Sequence, residues 1–199
     1  MRHGITAFAG GALISAVALV LVPEGSERLP IWAALLCFAA GGVLFAWLDA
    51  TLAKAGGSRG QMVAMVSDFL PEAVALGALL ASGSSGAMVV AAIIALQNLP
   101  EGYNAYLEAT PPDASARRRT LISYVGLALL GPVAAFLGFT VLAEAEIALG
   151  AMMMIAAGGI LYLVFEDVAP EVAMEATWAP PLGAVLGFGL GLLGHLLAG

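Results

Sequence analysis

Apolar residues fill seven long stretches of this sequence, and polar residues gather in the short segments between them. A helix needs about 20 mostly apolar residues to cross a bilayer core of about 30 Å, and each stretch approaches that length. The pattern predicts seven transmembrane helices in a single domain, residues 1–199. The predicted spans are Gly4–Val22, Ile31–Ala50, Gln61–Ser82, Gly86–Glu108, Arg119–Leu142, Glu146–Ala169 and Pro180–Ala198.

The composition is that of an integral membrane protein. Hydrophobic residues make up 61% of the chain and charged residues 11%, against about 45–50% and 25% in soluble domains. The predicted fold class is therefore all-α integral membrane, with the lipid bilayer as its surroundings. The net charge of −7 argues against nucleic acid as a partner, because nucleic-acid binding calls for a basic surface.

The first apolar stretch has two interpretations. Arg2, His3 and the residues that follow resemble a cleaved secretory signal peptide as well as a membrane span. The stretch has no convincing small-x-small cleavage site, and it ends at Pro23-Glu24, which favours the span. The sequence leaves both interpretations open.

Lys and Arg residues near the span ends predict the orientation. With seven spans, the side that holds the N-terminus carries six of these residues, and the opposite side carries only Arg28. The six are Arg2, Lys54, Arg59, Arg117, Arg118 and Arg119. We therefore expect a multi-pass protein of the cell (inner) membrane, with its N-terminus in the cytoplasm and its C-terminus outside.

Two segments place carboxylates and prolines together inside apolar stretches. Residues 68–72 read Asp-Phe-Leu-Pro-Glu, and residues 97–102 read Gln-Asn-Leu-Pro-Glu-Gly. In each segment, two polar side chains four residues apart share one face of a helix. Pro71 and Pro100 each remove one backbone hydrogen bond and should free the carbonyl group four residues earlier. A freed carbonyl at membrane depth needs a polar partner.

Asp68, Glu72 and Glu101 lie well inside predicted spans, where one charge costs at least about 2.5–3.5 kcal/mol. They must face the bundle interior, and no lysine or arginine lies inside a predicted span to neutralise them. A cation bound at mid-membrane is the simplest source of the missing charge. Protonated carboxyl groups, hydrogen-bonded between helices, are the alternative.

More acids lie at the cytoplasmic end of the sixth predicted span. Glu166 and Asp167 precede Pro170-Glu171, and they mark either a solvated helix end or an acidic exit path for the cation. Other Pro-Glu pairs occur at 23–24, 71–72 and 100–101. This weak repetition is typical of the inverted repeats and broken helices of secondary transporters.

At these residues the chain resembles the ZIP family of divalent metal transporters, which carry two neighbouring helices with Pro-Glu-Gly motifs. The segment 97–102 matches one motif closely, and the segment 68–73 matches the other loosely. Phe8-Ala9-Gly10, with Pro23-Glu24 after it, looks like the family's second helix, and the segment 166–171 looks like its seventh. Because the family usually has eight helices, the resemblance implies a ZIP-like bundle that lacks the first.

The resemblance also implies a ligand set and a number of metal ions. The implied ligands are Asp68, Glu72, Gln97 and Glu101, with Asn98 as a fifth candidate. Where the looser motif has histidine, asparagine and glycine, this chain has Asp68, Phe69 and Ala73. The family's sixth helix often supplies a glutamate just before a proline, and here Gly131 stands before Pro132. We therefore expect one metal ion rather than two.

The function expected from the residues and the resemblance is transport of a divalent metal ion into the cytoplasm, with the ion as substrate. Zinc is the first candidate ion because of the resemblance to ZIP transporters. Manganese and iron(II) follow because the ligand set is all oxygen, without imidazole or thiolate. The alternative is a metal-binding regulatory membrane protein without transport. An intramembrane hydrolase comes third, since no nucleophile–base pair is visible, and no enzyme activity is expected. The sequence leaves monomer and homodimer both open.

Overall fold

The computed structural model describes residues 2–55, 69–70, 72–84, 86–92, 94–95, 98, 102, 106, 114–141, 145–173 and 178–198. Within this part of the chain the residues form seven helices and no strand. Asp68, Gln97 and Glu101 lie outside the described residues, as do Pro71 and Pro100.

The helices follow the apolar stretches closely. Helix α1 runs through Arg2–Ala16, one π-helical turn at Val17–Leu21, and Val22–Glu27, and α2 is Ile31–Ala55. Helix α3 is described at 69–70 and Glu72–Ala81, and α4 begins at residue 87. Helix α5 comprises Ala114–Ala128 and Leu130–Val141. Helix α6 comprises Glu146–Leu163, a π-helical turn at Val164–Val168, and Ala169–Ala173, and α7 is Ala179–Ala198.

Five helices in the described residues are long and apolar enough to cross a membrane, namely α1, α2, α5, α6 and α7. The described part of α3 is a shorter apolar helix. The prediction of an all-helical fold is confirmed for the described residues, and the five long apolar helices are consistent with a multi-pass membrane protein. Helix α5 begins earlier than predicted, at Ala114, so Arg117, Arg118 and Arg119 lie in its first turns with their side chains exposed.

Helices α1 and α6 form the centre of the bundle. In each, 56% of the apolar window is buried, against 17% in α2 and α5 and 22% in α7. A lipid-facing surface accounts for the exposed leucines and aromatic residues of the outer helices, because lipid tails are as apolar as those side chains. Buried residues of α3 and α4 pack in the same core cluster as those of α1 and α6, and the two predicted ligands that the structure describes, Glu72 and Asn98, lie on α3 and α4.

Close contacts between glycines and backbone fix the direction of the outer helices. Gly4 of α1 meets Ala179 of α7, and Phe8 meets Gly187 further along both helices, so α1 and α7 are parallel. In the same way α2 and α6 are parallel: Gly41 meets Ile155, and Asp49 meets Tyr162.

The relative directions of two further helix pairs, α3–α5 and α1–α6, follow from the same kind of contact. Phe69 of α3 meets Gly131 of α5, and Ala78 meets Gly138, so α3 and α5 are parallel. The two central helices are antiparallel, since Gly10 of α1 packs on Val168 of α6 while Gly25 packs near Gly150. A Cβ at these glycines would overlap the neighbouring helix, which is how small residues let membrane helices approach.

Both central helices change from α to π geometry before a proline. The π-helical turn Val17–Leu21 begins six residues before Pro23, and the turn Val164–Val168 begins six residues before Pro170. In each helix an N–H group just before the proline donates to a carbonyl five residues earlier. The wider turn accommodates a ring that would clash with the carbonyl four residues earlier in a regular α-helix.

The glycine contacts repeat with the same spacing. Gly11 lies twelve residues before Pro23 and contacts the carbonyl of Ala184, and Gly158 lies twelve residues before Pro170 and contacts the carbonyl of Phe38. In both helix pairs a second glycine lies three residues further on the partner helix and contacts the central helix. These second glycines are Gly187, which meets Phe8, and Gly41, which meets Ile155.

The pair α1–α7 is therefore equivalent to the pair α6–α2, and the two pairs run in opposite directions because α1 and α6 are antiparallel. The bundle is built on an inverted repeat in which a shift of 147 residues turns Gly11 into Gly158 and Pro23 into Pro170. The Pro-Glu pairs at 23–24 and 170–171 are equivalent positions of this repeat. Two of the four Pro-Glu pairs noted in the sequence thus have a structural basis, whereas Pro71, Pro100 and Glu101 of the other two lie outside the described residues.

Candidate metal-binding site

Glu72 is the predicted ligand that the structure describes most fully. It lies near the beginning of the described part of α3, and only 5% of the residue is exposed. The residues that follow it on the helix are apolar and buried, among them Ala75, Ala78 and Leu79. A carboxylate in such surroundings is costly unless it meets a cation, a proton or hydrogen-bond donors. Its burial is what a ligand inside a membrane bundle requires.

The position of Glu72 is set by the contact of α3 with α5. The ring of Phe69 packs on Gly131, one turn before Glu72. Two further glycines, Gly77 and Gly138, bring the two backbones together in the next turns. Three glycine contacts in succession allow little room for α3 to slide or rotate, so the side chain of Glu72 projects from a firmly seated helix.

Asn98 is the second predicted ligand among the described residues. It is helical and part-buried, and its Nδ2 atom is buried without a hydrogen-bond partner in the described part of the chain. Leaving a buried amide unsatisfied costs about 1–3 kcal/mol. The oxygen and nitrogen atoms of an asparagine side chain are told apart by their hydrogen-bond partners. Rotating the side-chain amide of Asn98 by 180° would place Oδ1 where Nδ2 now lies. An oxygen there is a ligand for a hard cation.

The other three ligands implied by the sequence, Asp68, Gln97 and Glu101, lie outside the described residues, so the structure does not test them. Among the described residues, no group of three or more His, Cys, Asp or Glu side chains lies close enough to hold a metal ion. Of the predicted ligands, the structure therefore describes only Glu72 and Asn98.

Glu166 lies on the π-helical turn of α6, with its side chain exposed, and Asp167 follows it on the same turn. Glu166 lines an open groove of about 450 Å³ together with residues of α2 and α6. The other lining residues are Gly42, Gly158, Leu161, Tyr162 and Phe165. The groove is walled by α2 and α6, whereas Glu72 and Asn98 belong to α3 and α4. The predicted exit path through these acids stays a prediction.

One polar pair beside this groove was not predicted. The hydroxyl of Tyr162 donates to Oδ2 of Asp49 at 3.4 Å, across the parallel pair α2–α6. The two residues lie on the helices that carry Gly41 and Gly158, whose close approach brings the side chains within reach. Sequence alone gives no signal for this pair, because the two residues are 113 positions apart.

A second unpredicted cluster joins the end of α1 to the turn between α3 and α4. Glu24 accepts hydrogen bonds from Arg28, at 2.9 Å, and from the hydroxyl of Ser84. The first pair has a sequence signal, since opposite charges four residues apart meet on one face of a helix. The partner Ser84, 60 positions away, has none.

Comparison with models of known protein families gave no match, and comparison with curated protein sequences gave none either.

Proposed function

We propose that this protein is a seven-helix membrane carrier that moves a divalent metal ion across the cell membrane into the cytoplasm. The ion, as substrate, binds at mid-membrane between α3 and α4. The proposed ligands are Asp68, Glu72, Gln97 and Glu101, with Asn98 as a fifth oxygen ligand.

The observation that carries the proposal is the burial of Glu72 in a bundle built on an inverted repeat. Glu72 is 5% exposed on an apolar helix, and an ionisable residue at membrane depth is a sign of a functional site. Inverted repeats with broken helices are the usual build of secondary transporters, whose ion sites lie near the midplane. Asn98, whose Nδ2 atom is buried without a hydrogen-bond partner among the described residues, adds a polar group on the neighbouring helix.

The helix directions support seven crossings. If each helix crosses the membrane once, odd-numbered helices run one way and even-numbered helices the other. The parallel pairs are α1–α7, α2–α6 and α3–α5, and the antiparallel pair is α1–α6. All four relations agree with this alternation. With the Lys and Arg asymmetry, they support a cytoplasmic N-terminus and a C-terminus outside.

The chemistry of the ligands and the resemblance set the order of candidate ions. Zinc comes first because of the resemblance to ZIP transporters. Manganese and iron(II) follow because carboxylate and amide oxygens without imidazole or thiolate suit harder ions. Glu166 and Asp167 extend the proposed path towards the cytoplasm at the end of α6.

The test is metal uptake into proteoliposomes together with metal binding by isothermal titration. Wild type should bind one ion per chain at the midplane site and should carry it across the membrane. Glu72→Gln, which is nearly isosteric but uncharged, should remove most binding and uptake. The matched control is Glu27→Gln, which removes an exposed carboxylate at the end of α1 and should leave both unchanged.

The outcomes separate the possible classes of protein. Binding without uptake would identify a metal-binding regulatory membrane protein. If the wild-type protein binds none of zinc, manganese and iron(II), the proposal is wrong. Two ions bound close together within α3 and α4 would contradict the single site.

A further inference from the structure

The end of α1 is tied to the α3–α4 turn by a polar cluster of three residues. Oε2 of Glu24 accepts from Nη1 of Arg28 at 2.9 Å, and Oε1 accepts from the hydroxyl of Ser84. The Ser84 hydroxyl also accepts from the backbone N–H of Gly86 at 3.2 Å. Glu24 and Arg28 are part-buried, with 27% and 20% of their side chains exposed. We call Glu24, Arg28 and Ser84 the latch.

The latch also reaches the start of α6. A Cβ added at Gly150 would lie 2.8 Å from Cβ of Arg28 and 2.9 Å from the carbonyl oxygen of Gly25. Only a glycine at this position lets the arginine pass so close to α6. Three elements therefore meet at one end of the bundle: the end of α1, the α3–α4 turn and the first turn of α6.

An apolar plug fills the bundle beneath the latch. It is made of side chains from α1, α3, α4 and α6 that are at most 6% exposed. They include Val17, Val20, Leu21, Ala78, Leu79, Ala87, Val90, Leu149 and Met153. Along α3, Leu79 lies seven residues beyond Glu72, which is about 10 Å at the rise of an α-helix. The plug and the latch together close the route to Glu72 from this end.

The sequence of the second copy lacks the charge pattern of the latch. The shift of 147 residues that relates the two central helices turns Glu24 into Glu171 and Arg28 into Glu175. Two carboxylates four residues apart repel each other, where the first copy has an ion pair. Glu175 lies outside the described residues, so this comparison rests on the sequence, in which only the first copy carries the opposite charges of the latch.

We propose that the latch holds this end of the bundle closed, and that an ion reaches Glu72 from this end only after the latch opens. The role of Glu72 as the ion site rests on the proposed function. The closure of this end does not rest on the proposed function, because it is inferred from the contacts of Glu24 and from the packing of the plug. The π-helical turn of α1, just before the latch, is the point at which α1 can bend when the latch releases.

The test measures access to Ala78, a plug residue that is fully buried. In a Cys37→Ser background, Ala78→Cys is exposed to a membrane-impermeant maleimide in intact cells. Ser82→Cys, made separately, reports whether the reagent reaches the face on which the α3–α4 turn lies. If the reagent does not label Ser82→Cys in intact cells, the same measurements are made on inside-out vesicles.

Glu24→Gln and Ser84→Ala should each raise the labelling rate of Ala78→Cys about tenfold, the change expected when one hydrogen bond to a charged group is lost. The matched control is Ser82→Ala. Its hydroxyl is in the same turn but donates to the Leu79 carbonyl of its own helix, at 2.9 Å. Glu27→Gln is the control for loss of a carboxylate from the end of α1.

Unchanged labelling in both latch variants would overturn the proposal, and so would an equal increase with Ser82→Ala, which would indicate general loosening of the turn. Circular dichroism checks that each variant is folded. Labelling needs no metal, so the two proposals fail separately. If the latch variants respond while wild type binds no metal ion, the latch stands and the proposed function falls.

Discussion

The ring of Phe69 on α3 packs against Gly131 on α5, one helical turn from Glu72, and fills the space that the missing side chain of Gly131 leaves. A Cβ added at Gly131 would overlap the ring. The ZIP transporters that the sequence resembles often have a glutamate at the position of Gly131, and in this chain the ring of Phe69 fills the space beside that position. A larger side chain at position 131 and the ring of Phe69 could not both occupy this space.

Gly131→Ala should displace the ring of Phe69 and destabilise the protein by about 1–3 kcal/mol, the usual cost of overpacking. Phe69→Leu combined with Gly131→Ala should recover part of this loss, because the shorter side chain leaves room for the methyl group. Thermal unfolding in detergent measures both variants. Additive effects of the two substitutions would show that the contact is unimportant for stability.

The inverted repeat predicts equal effects at equivalent glycines. Gly11→Ala and Gly158→Ala each place a methyl group against a backbone carbonyl of the neighbouring helix. Unlike a flexible side chain, this carbonyl cannot move aside. Each should lower stability by about 1–3 kcal/mol. Gly126→Ala and Gly189→Ala are the controls, since a Cβ there meets nothing within 4 Å. They should be neutral or slightly stabilising, because alanine favours the helix. A large difference between Gly11→Ala and Gly158→Ala would contradict the equivalence.

The helices could be predicted from sequence because length and apolar composition alone decide which segments cross a bilayer. Their ends shifted where polar residues continue a helix beyond the apolar core, as at Arg117 in α5 and at Glu27 in α1. Proline predicted bent helices at Pro71 and Pro100, which lie outside the described residues, and an ended or interrupted apolar stretch at Pro23 and Pro170. It did not predict π-helical turns, because a kink, a break and a π turn all accommodate the missing hydrogen bond.

The candidate site was predictable only in part. Burial of Glu72 followed from the cost of a charge at membrane depth, and the structure bears it out. The latch was not predictable, because Ser84 is 60 residues from Glu24 and a serine in a glycine-rich turn has no distinctive pattern. The equivalence of the two helix pairs needed the contacts of Gly11 and Gly158, since few side chains are shared by the two copies.

The orientation is tested by cysteine labelling in intact cells. A cysteine in the α3–α4 turn, such as Ser82→Cys, should react with an impermeant reagent from outside, because six of the seven Lys and Arg residues lie on the opposite side of the predicted topology. A cysteine placed beside Arg117 should react only after the membrane is opened. Reversed labelling would invert the topology and the proposed direction of transport.

Asn98→Leu should separate stability from metal binding. Removing a buried amide that lacks a partner among the described residues should stabilise the metal-free protein by about 1–3 kcal/mol. If Asn98 is a ligand, the same variant should bind metal more weakly. Unfolding without metal and titration with metal measure the two effects. A variant that is less stable without metal would show that the amide is satisfied by groups outside the described residues.

Metal affinity should fall as the pH is lowered, because carboxylate ligands bind a cation only when they are deprotonated and binding therefore releases protons. Isothermal titration at several pH values, in buffers of different ionisation enthalpy, measures both the affinity and the protons released.

Glu101→Gln should keep the fold but lose most binding at every pH, because it removes a charged ligand. Gln97→His should strengthen zinc binding relative to manganese, because an added imidazole suits zinc better. The control is Glu27→Gln, whose binding and proton release should match the wild type. If Glu101→Gln binds zinc and manganese as tightly as the wild type, the ion does not bind between α3 and α4. Glu166 and Asp167 on the π-helical turn of α6 would then be the leading candidates for its ligands.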